Sequence, residues 1–197
     1  MIFHFSSHGV SLRGKGIVKK IHCTNIGKEN VAIIEAGASL LNCSFYFKGN
    51  NNKLHIKCGT HLRNASFHFE DDDNKIIIGE SVTSEPQLSL AACESCSIII
   101  GNDCMISNDV QIRTTDSHSV VDADGKRINH AGDITIGNHV WIGFQSLLLK
   151  GTTIPDNCVI GARSMTTASL KAEQGDVIAG TPAKVIKHNI NWRRERI

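Results

Sequence analysis

One of the ten histidines, His118, lies in a setting suited to proton transfer. It follows Asp116 and Ser117 in a polar stretch, Thr114 to Gly132, that also carries Asp122, Asp124, Lys126, Arg127 and Asn129. The ordinary pKa of imidazole falls near neutrality, so such a ring can take a proton from a hydroxyl that is becoming a nucleophile. Asp116 either orients the ring or caps a turn, and spacing alone does not separate the two. Two other groupings invite a chemical reading. Cys93-Glu94-Ser95-Cys96 has the spacing of half a zinc or redox site, but no second pair follows to complete a tetrahedral set, so it is read as structural. Asp71-Asp72-Asp73 would suit a cation, yet its counterpart one repeat earlier is Gly49-Asn50-Asn51, which argues for a turn. No metal is therefore expected.

A repeat must hold His118 in place. Aliphatic residues recur at every sixth position, at Ile136, Ile142, Leu148, Ile154 and Ile160, and the residue four further on is compact: Val140, Ser146, Thr152, Cys158, Ser164. A period of six fits neither a helix face nor simple strand alternation. It fits short strands stacked around a prism, with the aliphatic side chain inward and small residues at the corners. Earlier in the chain the spacing lengthens: Ile34, Ile56, Ile78 and Ile100 are 22 residues apart each time. The four residues beyond three hexads should form a looser corner, and Lys48-Gly49-Asn50-Asn51-Asn52-Lys53 aligns there with Glu70-Asp71-Asp72-Asp73-Asn74-Lys75, both rich in turn formers. The 36 residues from Ile100 to Ile136 read as two 18-residue coils, with the hexad lost across the polar stretch. That stretch is expected to be a loop thrown out from the prism, and long loops in compact folds usually carry function.

These motifs resemble the hexapeptide-repeat acyltransferase superfamily. The resemblance rests on Gly137-Asn138-His139-Val140-Trp141-Ile142-Gly143, Lys150-Gly151-Thr152-Thr153-Ile154, Val159-Ile160-Gly161-Ala162 and Ala179-Gly180-Thr181-Pro182-Ala183-Lys184-Val185-Ile186, in that order and spacing. The pattern is most similar to the O-acetyltransferases of polysaccharides and sialic acid polymers. The resemblance implies an all-β chain folded as a left-handed parallel β-helix with three short strands per coil. The left hand comes from the family, since parallel crossovers are otherwise right-handed. One domain is expected: a cap over 1–25, coils of 22 residues over 26–113, an extended active-site loop over 114–133, coils of 18 residues over 134–175 and a coenzyme-binding tail over 176–197. From Ala179 to Ile190 the tail is expected to leave the prism, and Ile190 to Ile197 to form a short C-terminal helix or tail.

The family also implies roles. His118 matches its catalytic base, and Trp141 its tryptophan beside the acetyl-transfer site, where the indole packs on the pantetheine arm or donates a hydrogen bond. His139 reads as a surface residue lining the cleft and not as the base. Acetyl-CoA is the expected cosubstrate, with backbone at Gly143, Ala162 and Thr167 holding the pantetheine and Lys184 and Lys187 meeting the nucleotide phosphates. Relatives often carry Lys where this chain has Ala168, and Lys171 is a nearby substitute. Arg127 and Asn129 match an Arg and Asn of the polysaccharide-acetylating subgroup; Asn129 either bonds the acceptor or steadies the loop. The family is normally trimeric, with sites formed between prisms, so a homotrimer is expected.

The implied reaction is direct O-acetyl transfer to a sugar hydroxyl, on a bacterial-type surface polysaccharide such as capsule or lipopolysaccharide. Three alternatives remain: N-acetylation of an amino sugar or sugar nucleotide, a zinc hydratase on the same prism, and a binding scaffold without activity. The hydratase would need three histidines in register, and His118, His130 and His139 lack that spacing. Retention of His118 and of the Ala179–Ile186 motif disfavours the scaffold. A formal net charge of +2 over 197 residues argues against nucleic acid as the main partner. The seven cysteines read as reduced thiols filling compact sites in a cytoplasmic protein. The opening Met1-Ile2-Phe3-His4-Phe5 lacks a signal-peptide pattern, and no apolar run is long enough for a membrane span.

Overall fold

A computed structural model describes residues 10–197. The aliphatic ladder becomes three parallel sheets wrapped into a left-handed prism. The first face runs from Val10–Gly14 through Asn30–Ile34, Lys53–Ile56, Lys75–Ile78, Ser97–Ile100 and Ile134–Ile136 to Thr153–Ile154. The second begins at Ile17–Lys19 and passes through Trp141–Ile142 and Val159–Ile160 to Val177–Gly180. The third runs from His22–Asn25 through Ser66–Phe69, Ser89–Ala92, Gln111–Arg113 and Leu147–Leu149 to Met165–Thr166. Residues 10–25 thus supply the first rung of every face, while residues 1–9 of the expected cap lie outside the described residues.

Every inward aliphatic of the six-residue ladder is buried, and so is every compact partner, from Val140 to Ser164. Full burial of each Ile or Leu contributes about 1.5–3 kcal/mol, which is why the six-residue spacing survives where almost nothing else repeats. The 22-residue coils are filled by larger rings: Phe47 stacks on Phe69 with centroids 4.7 Å apart, and Phe45 meets Phe67 edge-on at 5.5 Å. Their four extra residues fall at the corner between third and first faces. Asn30, Asn52 and Asn74 stack there, the Oδ1 of each accepting the backbone N–H one coil on: Asn52 at 2.8 Å, Asn74 at 2.9 Å and Cys96 at 3.1 Å. Cys93 to Cys96 turn this same corner with Glu94 and Ser95 at positive φ, and none of the seven cysteines is joined in a disulfide.

Three expectations are corrected. Ser97–Ile100 pairs directly with Ile134–Ile136, Ile100 opposite Ile136, so the 36-residue interval is one coil with a loop inserted and not two coils. The loop widens the same corner that holds the extra residues of earlier coils. At the other end, no helix of any kind is present among the described residues, so the expected C-terminal helix is absent. Nor does the chain leave the prism at Ala179: after a cis Thr181–Pro182 peptide, Ala183–Lys187 adds antiparallel to Val177–Gly180 as the edge of the second face. The residues beyond follow the corner between first and second faces in extended form. A segment this short gains little from helix formation, and its polar groups instead find partners on the solenoid. Asn189 turns it at φ 56°, Ile190 N–H donates to Gly175 O at 2.8 Å, and Arg194 donates to the carbonyls of Ser81, Asp103 and Cys104.

Candidate active site

The loop that carries His118 leaves the third face at Arg113 and returns to the first at Ile134. Its two ends are tied where they meet: Gly132 N–H donates to Thr114 O at 3.0 Å, and buried Thr114 accepts the Cys93 N–H through Oγ1 at 2.9 Å. Further out it doubles back as a hairpin, with Ile128 N–H on Val120 O at 2.9 Å. Asp122 closes the tip by accepting the N–H groups of Asp124 and Lys126, an Asx-type turn completed by Gly125 at φ +78°.

Asn129 organises the space between. Its Nδ2 donates to the Asp116 carboxylate and to the His118 carbonyl, both at 2.8 Å, while its Oδ1 accepts the Val120 N–H at 2.7 Å. Lys150, on the next coil, also donates to Asp116, and to the Asn129 carbonyl at 3.1 Å. Lys150 and Asn129 hold the Asp116 carboxyl below its ordinary pKa, so it remains an anion committed to them. Asp116 thus fixes the loop segment that bears His118 and does not bond its ring. The second anchor is Arg127, whose Nη2 donates to Glu94 at 2.7 Å; Thr115 Oγ1 donates to the same carboxylate oxygen at 2.8 Å. Arg127 above all draws the Glu94 pKa down to about 2. With the backbone so held, the His118 side chain is exposed and bonds no other side chain among the described residues. His118, Asp116, Arg127 and Asn129 therefore come together as one constellation.

The remaining expected site residues lie elsewhere on the prism. Thr167 follows Met165–Thr166 on the corner shared with His118, one coil beyond Lys150. Gly143 and Ala162 stack on the corner between second and third faces. A Cβ at Gly143 would stand 2.7 Å from Ala162 N and from Ile160 O, so the backbone there must stay bare. Lys184 and Lys187 are exposed on the edge strand Ala183–Lys187. Trp141 projects from the second face with 37 % of its surface exposed. The whole first face separates it from His118 within one chain. His139 is half-buried: Nδ1 lies 2.7 Å from Asp103 Oδ2, and its ring stacks on Trp192. Among the described residues, no group of three His, Cys, Asp or Glu side chains could hold a metal ion, and no helix is long and apolar enough to cross a membrane.

Glu94 and Lys150 were not singled out by sequence reasoning. Lys150 was within reach, because the ladder sets Arg113 opposite Leu149 and so puts Lys150 beside the root of the loop. Glu94 carries no such signal, since its partner Arg127 is 33 residues away across an aperiodic loop.

No family model matches the sequence. The chain is 33% identical over 187 residues to a polysialic acid O-acetyltransferase of Neisseria meningitidis, covering 94% of this chain and 86% of that protein. It is 35% identical over 120 residues to a polysialic acid O-acetyltransferase of Escherichia coli O1:K1, a match spanning 60% of this chain and 38% of the relative. The crystal structure of the polysialic acid O-acetyltransferase OatWY superimposes with a TM-score of 0.70 at 30% identity, covering 96% of this chain and 93% of that one. Coils, loop and sequence agree on one assignment: the chain belongs to the hexapeptide-repeat superfamily, among its acetyl-CoA-dependent O-acetyltransferases.

Proposed function

We propose that this protein transfers acetyl from acetyl-CoA to a hydroxyl of a bacterial surface polysaccharide, a sialic acid polymer first among them, with His118 as general base. The observation that carries the reading is the division of labour at Asn129. It pins the His118 carbonyl and the Asp116 carboxylate at once while the imidazole stays exposed to solvent. The ring takes the proton of the acceptor hydroxyl as its oxygen bonds to the thioester carbonyl carbon. A backbone N–H or the Trp141 indole steadies the oxyanion. As the tetrahedral species collapses, the C–S bond breaks and the imidazolium returns its proton to the departing thiolate. Ester and free coenzyme A thiol are the products. Transfer is direct: Cys93, the thiol at the root of the loop, is pushed up to about 11, chiefly by burial, and stays protonated and poorly nucleophilic.

The donor lies along Gly143, Ala162 and Thr167, with Lys184 and Lys187 as point charges for its phosphates. Because His118 and Trp141 occupy different edges of one prism, a complete site needs Trp141 from a neighbouring copy, as in a homotrimer. Thiol release from acetyl-CoA, measured against a panel of sialic acid polymers and neutral glycans, tests the reading. Wild type should respond to a polymer, and His118→Ala should lose nearly all turnover while still binding coenzyme A. Equal turnover by the variant would remove His118 as base.

A further inference from the structure

Beside the loop, the outer surface of the third face has a gap that no role described so far uses. The outward row reads Tyr46, His68, Ala91, Arg113 and Leu149 in register from coil to coil. Ala91 alone in that row is short, and its side neighbour Ser89 is also small, so a groove opens there between His68 and Arg113. It encloses about 160 Å³, with Glu70 and Cys93 along its wall and Ser117 of the loop at its rim. That volume is below the ~300–1,000 Å³ of a cofactor-sized pocket and suits one sugar ring or its charged substituent.

The cations around the loop differ in a telling way. Arg127 is neutralised by Glu94 and Lys150 by Asp116. Arg113 has no carboxylate within ion-pair distance among the described residues; its Nη2 donates at 2.9 Å to the neutral hydroxyl of Ser117, the residue before His118. That single bond aims the guanidinium and leaves most of its planar donor fork open. An uncompensated guanidinium is suited to bidentate recognition of a carboxylate.

We infer that the groove floored by Ala91 is the acceptor subsite and that Arg113 selects acidic sugars by binding the carboxylate of the residue being acetylated or of its neighbour. The inference rests on the acetyltransferase reading and adds to it the groove and the residue that read the acceptor's charge. Glu70, at the opposite wall, accepts from sugar hydroxyls and disfavours a carboxylate bound in the reverse sense.

The test compares a sialic acid oligomer with the same oligomer converted to its carboxyl methyl esters, using wild type, Arg113→Gln and Arg113→Lys. Arg113→Gln should raise KM for the acidic oligomer by about tenfold to a hundredfold, the worth of a charge-assisted hydrogen bond, with kcat changed far less and KM for acetyl-CoA unmoved. The ester should be a poor acceptor for wild type and indifferent to the substitution, and Arg113→Lys should recover part of the loss. An unchanged KM in Arg113→Gln, or an equal loss with acid and ester, overturns the assignment. Should wild type prefer neutral glycans, the acidic selectivity fails while the acetyltransferase reading stands. Should no glycan release thiol, the proposed function fails, and calorimetric titration of the acidic oligomer into wild type and Arg113→Gln still decides whether Arg113 binds a carboxylate.

Discussion

Trp192 lies flat on His139, ring centroids 4.1 Å apart and 9° from parallel, and each residue bonds the other's backbone. The indole Nε1 donates to the His139 carbonyl at 2.8 Å, and His139 Nε2 stands 3.1 Å from the Trp192 carbonyl. The indole is 6 % exposed and its centroid is 6.2 Å from that of Trp141. The C-terminal residues are thus a strap along one corner of the prism, and they form the wall against which Trp141 stands.

Removal of that wall should loosen Trp141 more than it harms the fold. Trp192→Ala is expected to lower stability by about 3–5 kcal/mol, the usual range for a buried aromatic. Residues Arg193 and Arg194 should then become open to trypsin. Trp192→Phe leaves Trp141 as the sole tryptophan and retains a stacking ring, so its fluorescence is the reference. In a chain truncated after Lys187 and carrying Trp141 alone, emission should shift to the red and anisotropy should fall. Unchanged emission would mean that the strap does not touch Trp141 in solution.

The Arg127–Glu94 anchor gives a pH dependence of defined sign. The Glu94 pKa is depressed from 4.5 to about 2, so its contribution to stability is full above the unfolded value and disappears as pH falls through the folded one. Wild type should therefore exceed Glu94→Gln by a constant margin at neutral pH. The margin should narrow from about pH 4.5 downward and vanish near pH 2. Denaturant unfolding of both proteins across that range measures it, and a margin unaffected by pH would show that the ion pair does not hold the loop.

The residues that were legible in sequence are those whose partners lie at a fixed spacing. Ile136 to Ile160 announce the prism because each sits under the last, and Asn50 aligns with Asp72 because both turn one corner at the same height. The same logic misled where the spacing was accidental: 36 residues equal two short coils, yet the first face closes in one. His118 stands out through its motif and loop, and its role as base belongs to the proposed function. The ion pair of Arg194 with Asp103 joins residues 91 positions apart and leaves no periodic trace. For that reason the sequence leaves a helix or a tail open over 190–197, and the helix is absent because the segment's conformation is set by contacts with distant coils.

Asn129 is predicted to act through position. Its amide is committed to Asp116, the His118 carbonyl and Val120, so it has little left for an acceptor. Asn129→Ala should lower kcat by roughly tenfold to a hundredfold through misplacement of His118, in line with the cost of small displacements of catalytic groups. KM for the glycan should change little. A raised glycan KM with kcat preserved would instead make Asn129 an acceptor contact.

The separation of His118 from Trp141 makes the proposed shared site testable by mixing. In one chain, the first face stands between the loop corner that carries His118 and the second face that carries Trp141. The loop hairpin meanwhile exposes Val120, Val121 and Ile128, each more than half accessible, a small apolar patch of the kind that marks a contact surface. Val121→Asp should convert the proposed trimer to smaller species in sedimentation and abolish turnover without unfolding the solenoid. His118→Ala and Trp141→Ala, each inactive alone, should regain part of the activity when coexpressed, because mixed assemblies contain interfaces with one intact His118 facing one intact Trp141. Pairs in which both lesions fall at the same interface stay silent, so recovery must remain below wild type. No recovery in verified mixed assemblies would place both residues of a working site in the same chain, which this prism does not allow, and would remove Trp141 from the site.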